Sequence, residues 1–147
     1  RNPLTGMMGM AMPGDKRRVL IVDDNRSVAD TLVVVFSFNG YLARAAYSAE
    51  EAMAIAPEMR PDLAVVDVFL PRIGGISLAT GLRAAYPNLK IVLLSGQPAS
   101  FDMLARVGNP FELMMKPVHP AEMLRTAARL LRASDQNQQD DAPRSAA

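Results

Sequence analysis

The sequence predicts an α/β fold in which helices cover a parallel β-sheet. Short apolar runs alternate along the chain with longer segments whose apolar residues recur every three to four positions. The first pattern is typical of buried strands and the second of amphipathic helices. Because a helical segment separates successive strands, the strands should be parallel, with their carboxyl ends at one edge of the sheet. Open α/β sheets bind their ligands at that edge.

Four of the five predicted strands run into polar residues of the kind that handle phosphoryl groups. The first is followed by Asp23 and Asp24, the third by Asp67, the fourth by Ser95 and the fifth by Lys116. Their apolar runs are residues 19–22, 63–66, 91–94 and 113–115, each expected to be buried on both faces, and a weaker strand is expected at 41–46. Three carboxylates, a hydroxyl and an ammonium should therefore converge at one edge. Such a group predicts a metal-assisted phosphoryl site.

The helices are predicted from the period of their apolar residues and from the signals at their ends. Asn39 and Gly40 are typical of a helix stop, Ser48 of an N-cap, and Pro120 of a first helical turn. The helices are expected at residues 26–38, 49–59, 75–86 and 99–107, with a last helix that begins at Pro120.

The composition favours one soluble globular domain and excludes several classes of protein. A chain of 147 residues, half of them apolar, can bury a core without disulfides, and it contains no cysteine. A formal charge of +1 gives no field that would draw the chain to nucleic acid or to a membrane. The longest mostly apolar stretch, residues 31–38, is too short to span a bilayer. We therefore expect a cytoplasmic protein.

The two ends of the chain differ from its middle. Residues 1–15 hold four of the ten methionines without any period, and we expect a flexible leader. Residues 133–147 are polar, and we expect a disordered tail or the stub of a linker to a further domain. The folded domain should then span residues 16–132.

The strings VLIVDDN, DVFLPRIGG, LLSG and MKP, in this order and at these spacings, resemble the motifs of response-regulator receiver domains of two-component signalling. The resemblance covers about residues 17–131. It implies a doubly wound, flavodoxin-like fold with sheet order 2-1-3-4-5 and helices on both faces, which agrees with the handedness rule for parallel crossovers.

The resemblance also implies roles for the residues at the strand ends. Asp67 matches the phosphoacceptor, whose carboxylate takes a phosphoryl group from a histidine kinase or a histidine phosphotransfer protein. Asp24 matches a direct Mg²⁺ ligand and Asp23 the acid that holds the ion through water. Asp67 and the backbone carbonyl of Phe69 are the other expected ligands. Such a domain catalyses only its own phosphorylation and dephosphorylation, and is not an enzyme for other substrates.

Two further residues are assigned by the same resemblance. Lys116 matches the lysine that neutralises the phosphoryl oxygens, and it precedes Pro117 in a peptide bond that is commonly cis in this family. Ser95 matches the hydroxyl that senses the bound phosphoryl group. Independently of the resemblance, three neighbouring carboxylates repel one another, so at least one pKa should be raised unless Lys116 or a cation compensates.

The chain departs from the family pattern in three places. Gly74 replaces an aspartate that usually precedes the glycine of the loop after the phosphoacceptor. Leu113 occupies the position of an aromatic residue that, in the family, follows the movement of the switch hydroxyl. The readout of phosphorylation through Ser95 and Leu113 should therefore differ from that of the family. Gly96 and Pro98 place a glycine and a proline in the switch loop.

The function implied by the resemblance is a phosphorylation switch. The modified domain should repack the face formed by its fourth helix, fifth strand and fifth helix, and act on a downstream protein or a second copy, without direct contact to nucleic acid or membrane. A phosphotransfer intermediate and a non-phosphorylated interaction module are the alternatives. A Mg²⁺-dependent aspartyl phosphohydrolase is disfavoured, because Phe69 occupies the position of its general acid. His119 is expected to be a cap or loop residue.

Overall fold

The computed structural model of the chain describes residues 15–106, 108 and 110–140. In these residues one sheet of five parallel strands has the order β2-β1-β3-β4-β5. The strands are β1 (Arg18–Val22), β2 (Leu42–Ala46), β3 (Leu63–Asp67), β4 (Lys90–Ser95) and β5 (Glu112–Met115). The helices are α1 (Arg26–Ser37), α2 (Ala49–Met59), α3 (Gly75–Ala85), α4 (Ala99–Arg106) and α5 (Pro120–Asp140). The predicted fold class and strand order are confirmed.

Each face of the sheet carries its own apolar layer. On one face, side chains such as Leu20, Val66 and Leu93 pack with buried residues of α2, α3 and α4. On the other face, Ile21 and Val65 pack with buried residues of α1 and α5. Because β1, β3 and β4 are covered on both faces, they are held rigidly, and their carboxyl ends are fixed relative to one another.

The prediction of burial on both faces is wrong for β5. This strand lies at one edge of the sheet, where its only strand neighbour in the described sheet is β4. Glu112 and Leu113 are half-buried, Met114 is buried, and Met115 is 41% exposed. An apolar run predicts a strand, but it does not show whether helices cover both faces of that strand.

Most helix ends lie where the sequence places them. The Ser48 hydroxyl accepts a hydrogen bond from the backbone N–H of Glu51 at 3.1 Å, as expected of an N-cap. Helix α1 ends just before Gly40, whose φ of 91° is one that glycine adopts without strain. Helix α5 begins at Pro120, as predicted.

Helix α5 continues to Asp140, past residue 132, where the sequence predicted a polar tail. No glycine or proline interrupts residues 121–140, so the helix has no reason to stop where its apolar residues end. Asp135 also pairs with Arg17, the residue directly before β1. Residues 1–14 of the predicted leader 1–15, together with Val107, Asn109 and residues 141–147, lie outside the described residues. In the part of the chain that is described, no helix combines the length and apolarity needed to cross a membrane.

Two glycines of α3 give a matched test of packing. A Cβ on Gly75 would lie 1.8 Å from the carbonyl oxygen of Asp67, whereas a Cβ on Gly81 would meet nothing within 4 Å. We expect Gly75→Ala to lower the free energy of unfolding by about 2–3 kcal/mol, because the backbone of Asp67 must move. Gly81→Ala should raise it by about 0.5–1 kcal/mol through helix propensity. Urea unfolding of both variants measures this, and a Gly75→Ala variant as stable as Gly81→Ala would contradict the close approach.

Candidate functional site

Three acidic side chains meet at the carboxyl edge of the sheet. Asp23 and Asp24 follow β1 and Asp67 ends β3, and one carboxylate oxygen of each lies within 4.8 Å of the others. The parallel register of β1 and β3, in which Val22 pairs with Val66, brings these strand ends together. Asp23 and Asp67 are buried, whereas Asp24 is exposed to solvent. The site therefore has a buried floor and one acid at its open side.

Lys116 supplies the positive charge of the site. Its Nζ donates to Asp23 Oδ2 at 2.7 Å and to Asp67 Oδ2 at 3.2 Å. Its backbone N–H donates to the carbonyl of Ser95 at 2.9 Å, which extends the pairing of β5 with β4 up to this residue. The peptide bond between Lys116 and Pro117 is cis, as the family resemblance implied.

Backbone amides hold the other oxygens of the two buried carboxylates. Asp23 Oδ1 accepts from the N–H of Asn25 at 2.9 Å, and Asp67 Oδ1 accepts from the N–H of Phe69 at 3.3 Å. The side chain of Asn25 in turn caps α1 by accepting from the N–H of Val28. Each carboxylate thus has one oxygen on the backbone and one on Lys116, which fixes its orientation.

Burial and the neighbouring charges shift the pKa values of Asp67 and Lys116. Burial, together with the charge of Asp23, raises the pKa of Asp67, although Lys116 and the Phe69 N–H act against this rise. Burial alone would lower the pKa of Lys116, but its bond to Asp23 and the two carboxylate charges outweigh burial and raise it. Lys116 faces two carboxylates, whereas Asp67 shares one ammonium and faces another acid.

Ser95 lies at the same edge, but its hydrogen bonds run into the loop that follows β4. Its fully buried Oγ accepts from the N–H of Gln97 at 3.0 Å and lies 2.9 Å from the Oγ of Ser100 in α4. Leu113 pairs with Leu93 across the β4–β5 ladder and packs half-buried against the apolar layer there. The side chain of Phe69 is 50% exposed beside the site.

Sequence reasoning missed several residues that shape the site. Ser100 is a buried partner of Ser95, and Gly75 allows the helix to touch the backbone of Asp67. Arg72, whose φ is 67°, binds both oxygens of Glu50 at 3.2 and 3.0 Å and so joins the loop after β3 to α2. None of these contacts follows from a local pattern, because each joins separate elements. His119 accepts from the N–H of Ala121, in agreement with a capping role.

The donors fit a small, hard cation. Asp23, Asp24 and Asp67 are all oxygen ligands, and three carboxylates against one ammonium leave an excess of negative charge. Mg²⁺ prefers carboxylate and water oxygens and keeps part of its hydration shell, which the exposed side of Asp24 allows.

Comparison with known proteins agrees with this architecture. The sequence model of the family described as "Response regulator receiver domain" matches residues 19–128. The chain is 32% identical over 127 residues to the response regulator MprA of Mycobacterium sp. (strain KMS), which covers 86% of this chain and 55% of that protein. It is 32% identical over 126 residues to the MprA of Mycobacterium avium (strain 104), with 85% and 54% covered.

Two solved structures superpose on the fold of this chain. The CheY-like receiver domain protein of Methanospirillum hungatei JF-1 superposes with a TM-score of 0.77 at 25% identity, covering 83% of this chain and 98% of that one. The Vibrio cholerae chemotaxis protein CheY4 superposes with a TM-score of 0.70 at 27% identity, covering 78% and 98%.

The fold and the acidic strand ends are those of a signalling domain of the two-component class. The chain belongs to the response regulator receiver domain family. It spans about half the length of the curated relatives it matches.

The raised pKa of Asp67 predicts a specific pH dependence of stability. A carboxyl whose folded pKa exceeds its unfolded pKa stabilises the fold at acid pH, and this contribution is lost as pH rises through the folded value. We therefore expect Asp67→Asn to raise the free energy of unfolding at pH 7, with a gap that closes at pH values below the range in which an ordinary aspartate titrates. Urea unfolding across pH without Mg²⁺ measures the gap. The exposed Asp102→Asn is the control, and a gap of the same size at every pH would contradict the account.

Proposed function

We propose that this domain accepts a phosphoryl group on Asp67 from a phosphohistidine of a histidine kinase or a histidine phosphotransfer protein. The observation that carries the proposal is the position of the Asp67 carboxylate. It is buried, 3.2 Å from the ammonium of Lys116, and beside two further acids, in a chain of the receiver family. A carboxylate held between a cation and a metal-binding acid pair is suited to phosphoryl transfer.

In the proposed reaction, a carboxylate oxygen of Asp67 attacks the phosphorus of the phosphohistidine. An oxygen–phosphorus bond forms as the nitrogen–phosphorus bond breaks, and the imidazole nitrogen keeps the electron pair. Lys116 stabilises the negative charge on the phosphoryl oxygens during transfer, because its ammonium already lies against the attacking carboxylate. The Phe69 N–H holds Oδ1 of Asp67, which limits rotation of the nucleophile.

Asp23, Asp24 and Asp67 would hold Mg²⁺, with the backbone carbonyl of Phe69 as the further expected ligand. When bound, the ion would supply positive charge that offsets the negative charge of the phosphoryl group. A pocket with three carboxylates and one ammonium otherwise repels an anionic phosphodonor. Lys116 therefore cannot serve as the sole counter-charge of the site.

This domain has a groove beside the site against which the phosphodonor protein could dock. A groove of about 430 Å³ opens next to Lys116, between α1 and the segment after β5, and its walls include Val28, Leu32 and Val118. A partner that covers these apolar side chains would bring its phosphohistidine to the strand ends and exclude water from them. We propose the cytoplasm as the location of this encounter.

The response leaves through the face formed by α4, β5 and α5. Met103 on α4 and Met115 on β5 are 46% and 41% exposed, so the face offers flexible apolar contacts to a downstream protein or a second copy.

We infer no catalysis beyond the domain's own phosphorylation and dephosphorylation, because Phe69 carries no acid. A role as a phosphotransfer intermediate uses the same chemistry. A non-phosphorylated module would leave Asp67 without a role.

Phosphorylation by acetyl phosphate tests the proposal. With Mg²⁺ present, the intact mass should rise by one phosphoryl group, and chelation of the metal should slow the reaction at least about tenfold. Asp67→Asn should remain unmodified, whereas the exposed Asp102→Asn should react as wild type does. An unchanged mass for wild type, or equal modification of the Asp67→Asn variant, would refute the assignment.

A further inference from the structure

We propose that Ser100 is a positioning residue for Ser95, and that the bond between their hydroxyls carries the phosphorylation signal into α4. This inference rests on the proposed phosphorylation of Asp67 and concerns how that state is read out. Its basis is a pair of buried hydroxyls: Ser95 is fully buried, Ser100 is 3% exposed, and their Oγ atoms lie 2.9 Å apart.

The single proton of the Ser95 hydroxyl is already engaged within the loop and α4. A serine hydroxyl has one proton to donate and two lone pairs that accept. Ser95 Oγ accepts from the N–H of Gln97 at 3.0 Å, and Ser100 Oγ and the Gln97 carbonyl lie 2.9 and 3.2 Å away. The single proton of Ser95 can therefore reach a phosphoryl oxygen on Asp67 only if this local arrangement changes.

A phosphoryl group on Asp67 would be a stronger acceptor for the Ser95 proton than Ser100 or the Gln97 carbonyl. A hydrogen bond from a hydroxyl to an anionic oxygen is shorter and about twice as strong as one to a neutral oxygen. Ser95 should therefore turn toward the phosphoryl group, and the geometry of its bond to Ser100 should change at the same time. A buried hydroxyl that loses or stretches its hydrogen bond is destabilised until its surroundings move.

Helix α4 is well placed to respond. It has eight residues, and its buried residues are Ser100 and Leu104, one turn apart on the inner face. The backbone N–H of Ser100 donates to the Gln97 carbonyl at 3.0 Å, so Gln97 and Ser100 are linked through the backbone as well as through Ser95. A shift of Ser95 thus acts on one of the two residues that anchor this short helix.

Leu113 offers no comparable route. Its side chain packs half-buried against the apolar layer and pairs with Leu93. A leucine has no hydrogen-bonding group that would follow the movement of the Ser95 hydroxyl. The state of the hydroxyl pair, in contrast, depends directly on whether the Ser95 proton points to Ser100, to the Gln97 carbonyl or to a phosphoryl oxygen.

The test compares amide NMR spectra with and without beryllofluoride and Mg²⁺, used as a phosphoryl mimic. In wild type we expect shifts both at the site, followed at Asp67 and Lys116, and in α4, followed at Leu104. Ser100→Ala should bind the mimic with an affinity within about threefold of wild type, but its α4 shifts should fall at least about twofold. Ser100→Thr, which keeps the hydroxyl, should restore them. Ser77→Ala, an exposed serine of α3, is the matched control.

Each outcome of this experiment supports or overturns the inference. Equal α4 shifts in wild type and Ser100→Ala would overturn it, as would a Ser100→Ala effect that persists in a Ser95→Ala background. If wild type shows no shift at Asp67, the proposed function itself fails. If Ser100→Ala does not fold, hydrogen exchange in wild type decides. The amide of Phe101 should exchange at least about threefold faster with the mimic bound, and an unchanged rate would overturn the inference.

Discussion

The ammonium of Lys116 lies between two buried carboxylates that would otherwise repel each other, and the arrangement of the strand ends depends on this contact. Asp23 follows β1, Asp67 ends β3, and Lys116 follows β5, so one charge network joins the middle of the sheet to its edge. Two apolar layers hold the strands in register beneath it. The fold thus stabilises a set of charges that an isolated peptide could not hold together.

The network is left incompletely neutralised, which connects its energetics to its role in a receiver domain. The pKa of Asp67 is raised although an ammonium lies 3.2 Å away, because burial and Asp23 outweigh it. A cation at the three acids would relieve this repulsion, and a phosphoryl group on Asp67 would meet Lys116 already in place. The hydrogen bond between Ser95 and Ser100 joins the same edge of the sheet to α4.

The sequence predicted the parts of this site that follow from strand period and chain order. Asp23, Asp67 and Lys116 were expected together because parallel strands place their carboxyl ends at one edge, and the distances agree. The contact of Ser100 with Ser95 depends on how α4 packs, and the close approach of Gly75 depends on the path of a loop. The continuation of α5 to Asp140 was not predicted. A polar sequence indicates that a segment buries little apolar surface, but it does not exclude a helix.

On the proposed function, Lys116 and a divalent cation neutralise the same carboxylates. Urea unfolding at pH 7, with and without Mg²⁺, tests it on wild type, Lys116→Met and Lys90→Met, the last at the opposite end of the sheet. Without Mg²⁺ we predict that Lys116→Met lowers the free energy of unfolding by about 2 kcal/mol. Mg²⁺ should then stabilise Lys116→Met more than wild type or Lys90→Met, because the metal binds acids that have lost their ammonium. Equal stabilisation of all three proteins by Mg²⁺ would contradict the account.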